Sequence, residues 1–120
     1  MRRPVLLVLA VVTAALGAAL IAHAGAATNS PQFRTPDAAA ACKLERGTLV
    51  CSSLGSVGSV ALHPRGSSVI TRLPWWDAST PVLHRFRHGA ISCRLSGSAI
   101  LCRNSRVAIR VAADGFAVAR

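Results

Sequence analysis

A ten-residue pattern occurs twice and holds all four cysteines of the chain. Cys42-Lys43-Leu44-Glu45-Arg46-Gly47-Thr48-Leu49-Val50-Cys51 returns 51 residues later as Cys93-Arg94-Leu95-Ser96-Gly97-Ser98-Ala99-Ile100-Leu101-Cys102. Folding each copy about its midpoint leaves a two-residue loop, Arg46-Gly47 or Gly97-Ser98, and both loops contain the glycine that tight hairpin turns favour. Counting outward from such a loop, the pairs alternate between hydrogen-bonded and non-hydrogen-bonded, and each cysteine pair falls at a non-hydrogen-bonded position. There the Cα atoms approach to about 4.5 Å, inside the range of about 4.4–6.8 Å that a disulfide accepts. Each copy therefore reads as a hairpin clamped across its strands, with Cys42 bonded to Cys51 and Cys93 to Cys102.

Four cysteines in disulfides imply an oxidising compartment, and the start of the chain agrees. Arg2 and Arg3 precede an uncharged stretch from Val5 to Ala22, followed by small residues at Ala22-His23-Ala24 and Ala24-Gly25-Ala26. This is the layout of a secretory signal helix over residues 1–26, with cleavage after Ala24 or Ala26. The alternative is an uncleaved anchor, because the uncharged stretch reaches the lower length limit of a spanning helix. The expected location is outside the cell or on the outer side of its envelope, and an N-terminal anchor would leave the same domain outside. Residues 27–41, with Pro31 and Pro36, read as a linker. The rest, 42–120, is long enough for one core and too short for two.

Strand signals dominate from Cys42 onward. Val57 to His63 and Ser67 to Leu73 flank a turn at His63-Pro64-Arg65-Gly66. After Pro74 to Pro81, strands resume at Val82 to Phe86, Ala90 to Leu95, Ile100 to Arg103, Val107 to Val111 and Phe116 to Ala119, with a last turn at Asp114-Gly115. The expected fold is all-β, a small antiparallel sandwich or open barrel built from hairpins. Alternation places Ile91, Cys93, Leu95, Ile100, Cys102, Val107, Ile109 and Val111 inside, and Ser92, Arg94, Leu101, Arg103, Arg106 and Arg110 outside.

Phe33-Arg34-Thr35-Pro36, Gly89-Ala90-Ile91-Ser92-Cys93-Arg94, Cys102-Arg103-Asn104 and Gly115-Phe116 resemble the patterns of a family of small secreted actinobacterial domains of unknown function. That family runs Phe-x-Ser-Pro-Ser-Gly-Asn-x-x-Cys near its start and Cys-Arg-Asn-x-x-Gly-His-Gly-Phe near its end. The resemblance spans Phe33 to Arg120 and implies secretion and paired cysteines, with no activity attached. Asp37 to Ala41 replaces the serine-glycine-asparagine run and Ser105 to Val111 replaces the glycine-histidine pair, so no role of that histidine carries over.

Charge is the strongest functional signal. Of the fourteen Lys and Arg, all but Arg2 and Arg3 lie in the exported part, so twelve bases face four acids for a formal charge of +8, and eleven of the twelve are arginine. Such a surface favours anions, among them acidic envelope polymers and lipid headgroups. Arg94, Arg103, Arg106 and Arg110 are the candidate cluster; a merely solubilising outer face is the competing explanation. No specific nucleic-acid partner is expected. Trp75 and Trp76 are the second candidates, either inserting into a protein partner or plugging the core of a domain with few aromatics.

Nothing frames a reaction or calls for a cofactor. Cys-x8-Cys is wider than a zinc knuckle, and no Gly-x-Ser-x-Gly elbow or phosphate-binding glycine loop is present. The acids Asp37, Glu45, Asp77 and Asp114 sit in turns or linkers, unlike the paired carboxylates of a glycosidase. A non-catalytic domain is the expectation.

Overall fold

The computed structural model describes residues 31–120, ten antiparallel strands and two disulfides. The signal helix expected over residues 1–26 lies outside the described residues. In chain order the strands are β1 (Gln32–Arg34), β2 (Ala40–Glu45), β3 (Thr48–Ser53), β4 (Gly58–Leu62), β5 (Ser67–Thr71), β6 (Arg85–His88), β7 (Ile91–Ser96), β8 (Ala99–Arg103), β9 (Ala108–Ala112) and β10 (Gly115–Ala119). The stretch read as a linker differs from that expectation. It carries β1, and its alanines Ala40 and Ala41 already belong to β2. Three residues of β1 have too short a pattern to register as a strand in the sequence; pairing with β2 is what fixes them.

The strands form two five-stranded meanders, β1 to β5 and β6 to β10, each with its strands side by side in chain order. The sheets face each other as a sandwich, in contact through β2 and β3 on one side and β8, β9 and β10 on the other. Both hairpins have the registers that the loop geometry requires: Cys42 opposite Cys51, and Cys93 opposite Cys102. The disulfides close at those pairs with Cα atoms 4.0 Å apart in each. Each hairpin turn has a glycine at a left-handed position. Arg46 and Gly47 have φ of 51° and 78°, the pattern of a type I′ turn, whereas Gly97 alone is left-handed, at 61°, as in type II′.

The repeat extends well beyond ten residues. Phe33 stands opposite Cys42 and Phe86 opposite Cys93, Val60 opposite Cys51 and Ile109 opposite Cys102. The whole five-strand meander is thus present twice. The repeated residues meet at the centre, where the rings of Phe33 and Phe86 lie 5.0 Å apart and the Sγ atoms of Cys42, Cys51 and Cys102 lie within 4.8 Å of one another. Leu49, Leu62, Ile91, Ile100 and Val111 complete the buried apolar interior. Matching turns also touch: Asn104, which opens the β8–β9 turn, donates its amide to the carbonyls of His63 and Gly66 in the β4–β5 turn, at 2.6 and 3.0 Å.

At one end the sheets are held together by close backbone approach. Gly55 packs so tightly on the β9–β10 turn that a Cβ there would lie 2.1 Å from the carbonyl oxygen of Ala113. Gly55→Ala should therefore destabilise the domain by roughly 1–3 kcal/mol, as overpacking against unyielding backbone does, whereas Gly66→Ala, with open space around it, should cost much less. Replacing Cys93 and Cys102 together by alanine should cost about 2.5–3 kcal/mol from the lost loop constraint alone. Urea unfolding of the three variants checks both expectations.

Candidate functional site

A sheet whose inner face is aliphatic must turn its alternate residues outward, and the register says which of them become neighbours. On the outer face of the second sheet one row runs Arg85, Arg94, Leu101, Arg110, Ala117 across the five strands. The adjacent row runs Arg87, Ser92, Arg103, Ala108, Ala119. With strands about 4.8 Å apart and same-face residues about 6.8 Å apart along a strand, the five arginines stand within a patch on the order of 15 Å wide. They surround a cavity of about 1010 Å³ whose lining also includes Ser92, Leu101, Ala108, Ala117 and Ala119. The five bases share the lining with small and apolar residues.

Of the expected cluster, Arg94, Arg103 and Arg110 come together on this face. Arg106 does not join them. It sits in the β8–β9 turn, exposed, its backbone N–H bonded to Asn104 Oδ1 at 2.8 Å, because the chain leaves the ladder at Asn104 and re-enters it only at Ala108. Arg85 and Arg87 belong to the site in its place. The sequence holds their signal in the alternation Arg85-Phe86-Arg87 followed by the two-residue loop Gly89-Ala90. Reading a strand that stops at Phe86 hides it.

The electrostatics of the cavity are one-sided. None of its lining residues is acidic among the described residues. The nearest counter-charge is Asp114, whose Oδ1 lies 3.4 Å from an Arg110 Nη at an exposed position, where screening leaves little attraction. No histidine lines the cavity either. His63 instead bridges two strands, with Nδ1 3.3 Å from Thr48 Oγ1 and Nε2 2.9 Å from Ser68 Oγ. The three clustered sulfurs at the core are all in disulfides, so they offer no thiolate to a metal.

The corresponding outer face of the first sheet is covered by the chain itself. After β5, residues 72–81 run along β2 and reach the edge of β1. Arg72 forks onto the Glu45 carboxylate at 2.7 and 2.9 Å, and Trp75 lies beside Lys43, with Nζ 6.0 Å from the ring centre. Trp76 Nε1 donates to the Ala38 carbonyl at 2.8 Å. Arg34 then grips the segment twice, its backbone N–H on Pro81 and its Nε on Thr80, at 2.9 and 2.8 Å. The two indoles meet edge to face, 5.2 Å apart. Ala41, Val50, Ser52, Ser59 and Ala61, all directed to this outer face, are buried. Trp75 and Trp76 are half-buried parts of this strap.

Comparison with family models, with curated proteins and with solved structures returns no match. Functional assignment therefore rests on the residues themselves.

The strap carries a pH dependence. Arg72 holds the Glu45 carboxyl below its ordinary value of 4.5, and hydrogen bonds from the Ser79 hydroxyl and backbone hold Asp77 below its ordinary 3.8. Depressed carboxyl pKa values contribute stability that is fully present above the unfolded-state values and is lost as pH falls through the lower folded-state ones. Tryptophan emission should be constant from pH 8 to about 5, then shift red below about pH 4.5 as the strap loosens. Glu45→Gln should make the emission at pH 7 resemble that of the acid form and flatten the acid limb.

Proposed function

We propose that this is a non-catalytic exported domain that binds anionic envelope or extracellular material through the arginine-walled outer face of its second sheet. The observation that carries the reading is the convergence of Arg85, Arg87, Arg94, Arg103 and Arg110 on one cavity with a single exposed acid nearby. Guanidinium groups present forked donors that match carboxylate and phosphate oxygens and are never deprotonated, so such a face attracts anions at any physiological pH. The residues between them, Ser92, Leu101, Ala108, Ala117 and Ala119, are small or aliphatic and carry no charge to compete with the guanidinium groups.

The second candidate function, insertion of the Trp75–Trp76 segment into a protein partner, has less support. Those rings are engaged with Lys43 and Ala38 of the same domain, and freeing them would sacrifice the Arg72 fork and the Arg34 bonds. Export rests on the signal-like residues 1–26 and on two disulfides, which persist in oxidising surroundings.

Retention on a phosphocellulose matrix tests the site. The protein should bind at low salt and elute as ionic strength rises, since exposed charges are screened over about 8–10 Å near 0.1 M salt. Replacing Arg85, Arg87, Arg94, Arg103 and Arg110 by glutamine should abolish retention, while Arg106→Gln should lower the eluting salt only slightly. Equal retention of the five-fold variant and the parent would overturn the assignment.

A further inference from the structure

The duplicated meander supplies a template for what the open face accepts. Superposing the repeats by their cysteines and ladder partners sets Gln32, Lys43, Val50, Ala61 and Ser68 of the first outer face against Arg85, Arg94, Leu101, Arg110 and Ala117 of the second. The next row sets Arg34, Ala41, Ser52, Ser59 and Ile70 against Arg87, Ser92, Arg103, Ala108 and Ala119. The two basic positions that hold the strap on the first sheet, Arg34 and Lys43, are therefore basic again as Arg87 and Arg94. Three further positions, Gln32, Ser52 and Ala61, become arginine.

The backbone is equivalent too. On the first sheet the edge strand β1 gives the Arg34 N–H to Pro81. On the second, Leu95 N–H bonds the His84 carbonyl just as Leu44 N–H bonds that of Pro31. Alternation along β6 then turns the Arg87 N–H away from β7, toward the free edge. The second face thus offers the same edge donor and the same pair of cations that grip a polypeptide on the first. Its cavity of about 1010 Å³ is at the upper end of the usual ligand range of about 300–1,000 Å³.

Building on the anion-binding reading above, we infer that the occupant of this face is an extended acidic segment of another protein, laid along β7 as residues 72–81 lie along β2. Its aromatic side chain would stand over Arg94 as Trp75 stands over Lys43, and a backbone carbonyl would accept from Arg87. Carboxylates would answer Arg85, Arg103 and Arg110, the positions that are uncharged beneath the strap. Among the described residues, the two aromatic side chains of this sheet, Phe86 and Phe116, pack against the core, and Phe86 also borders the cavity. What the guanidinium groups provide is forked bonds to carboxylates.

The probe is a synthetic peptide of residues 72–81 carrying Arg72→Glu and Ala78→Glu, compared with a scrambled peptide of the same composition and with inorganic polyphosphate. Fluorescence anisotropy should give the ordered peptide at least tenfold tighter binding than the scramble. Amide exchange should slow in β6 and β7, including Arg87, and the double variant Arg87→Gln, Arg94→Gln should lose at least tenfold of the affinity while retaining the parent's tryptophan emission. Should that variant not fold, Arg103→Gln with Arg110→Gln must show the same loss. Equal binding of ordered and scrambled peptide, with polyphosphate binding at the arginines, would overturn the polypeptide inference and leave the anion site standing. Failure of all three probes to bind would overturn both.

Discussion

The close cross-strand approach at the non-hydrogen-bonded pair is the constraint from which the rest of this domain follows. A disulfide there requires the cysteines to stand directly opposite, so the two clamps pin the register of β2 against β3 and of β7 against β8. In a sheet, register and facing are one decision, because a slip of one residue would exchange the inner and outer sets. With Cys93 and Cys102 turned to the core, Arg94 and Arg103 can only point outward. The arginine face is thus a consequence of the covalent clamps as much as of the arginines themselves.

Local features carried most of what the sequence disclosed. The hairpin loops, the pairing of the cysteines and the inner and outer sets of β7 to β9 all depend on residues within about ten positions of one another, and the alternation pattern reports them directly. Arg106 stands apart from the expected cluster because alternation carried back from Val107 does not hold there: the Asn104 side chain caps a turn by accepting two backbone N–H groups at 2.8 Å, and the strand begins only at Ala108. Arg87 lies beyond the expected strand, which stops at Phe86, and without it Arg85 is a lone base in that strand rather than one of an alternating pair. The strap could not be read at all. Its anchors, Arg72 on Glu45 and Trp76 on Ala38, are 27 and 38 residues apart in the chain, and nothing local to Trp75 and Trp76 says which surface they will cover.

Duplication explains both the stability of the arrangement and its asymmetry. Two copies of one meander, each with an aliphatic inner face, bury those faces on each other, and Phe33 with Phe86 and the clustered disulfides form the shared centre. Each copy also has an outer face to dispose of. The chain between the copies has just enough length, residues 72–84, to cross one of them. Lying between β5 and β6, it covers the first sheet, while the cavity on the second is lined only by residues of the second sheet among the described residues.

That topological accident gives the two outer faces different chemistries. Beneath the strap, three of the five positions equivalent to the arginine sites carry glutamine, serine and alanine; Ser52 and Ala61 are nearly inaccessible, and a buried guanidinium without a partner would be strongly destabilising there. On the second sheet the same positions are exposed, so Arg103 and Arg110 cost little there. Gathering five like charges still carries a repulsive cost, which an acidic partner would relieve on binding. The covered face shows how a polypeptide fills the same scaffold where only two of the five positions, Arg34 and Lys43, are basic.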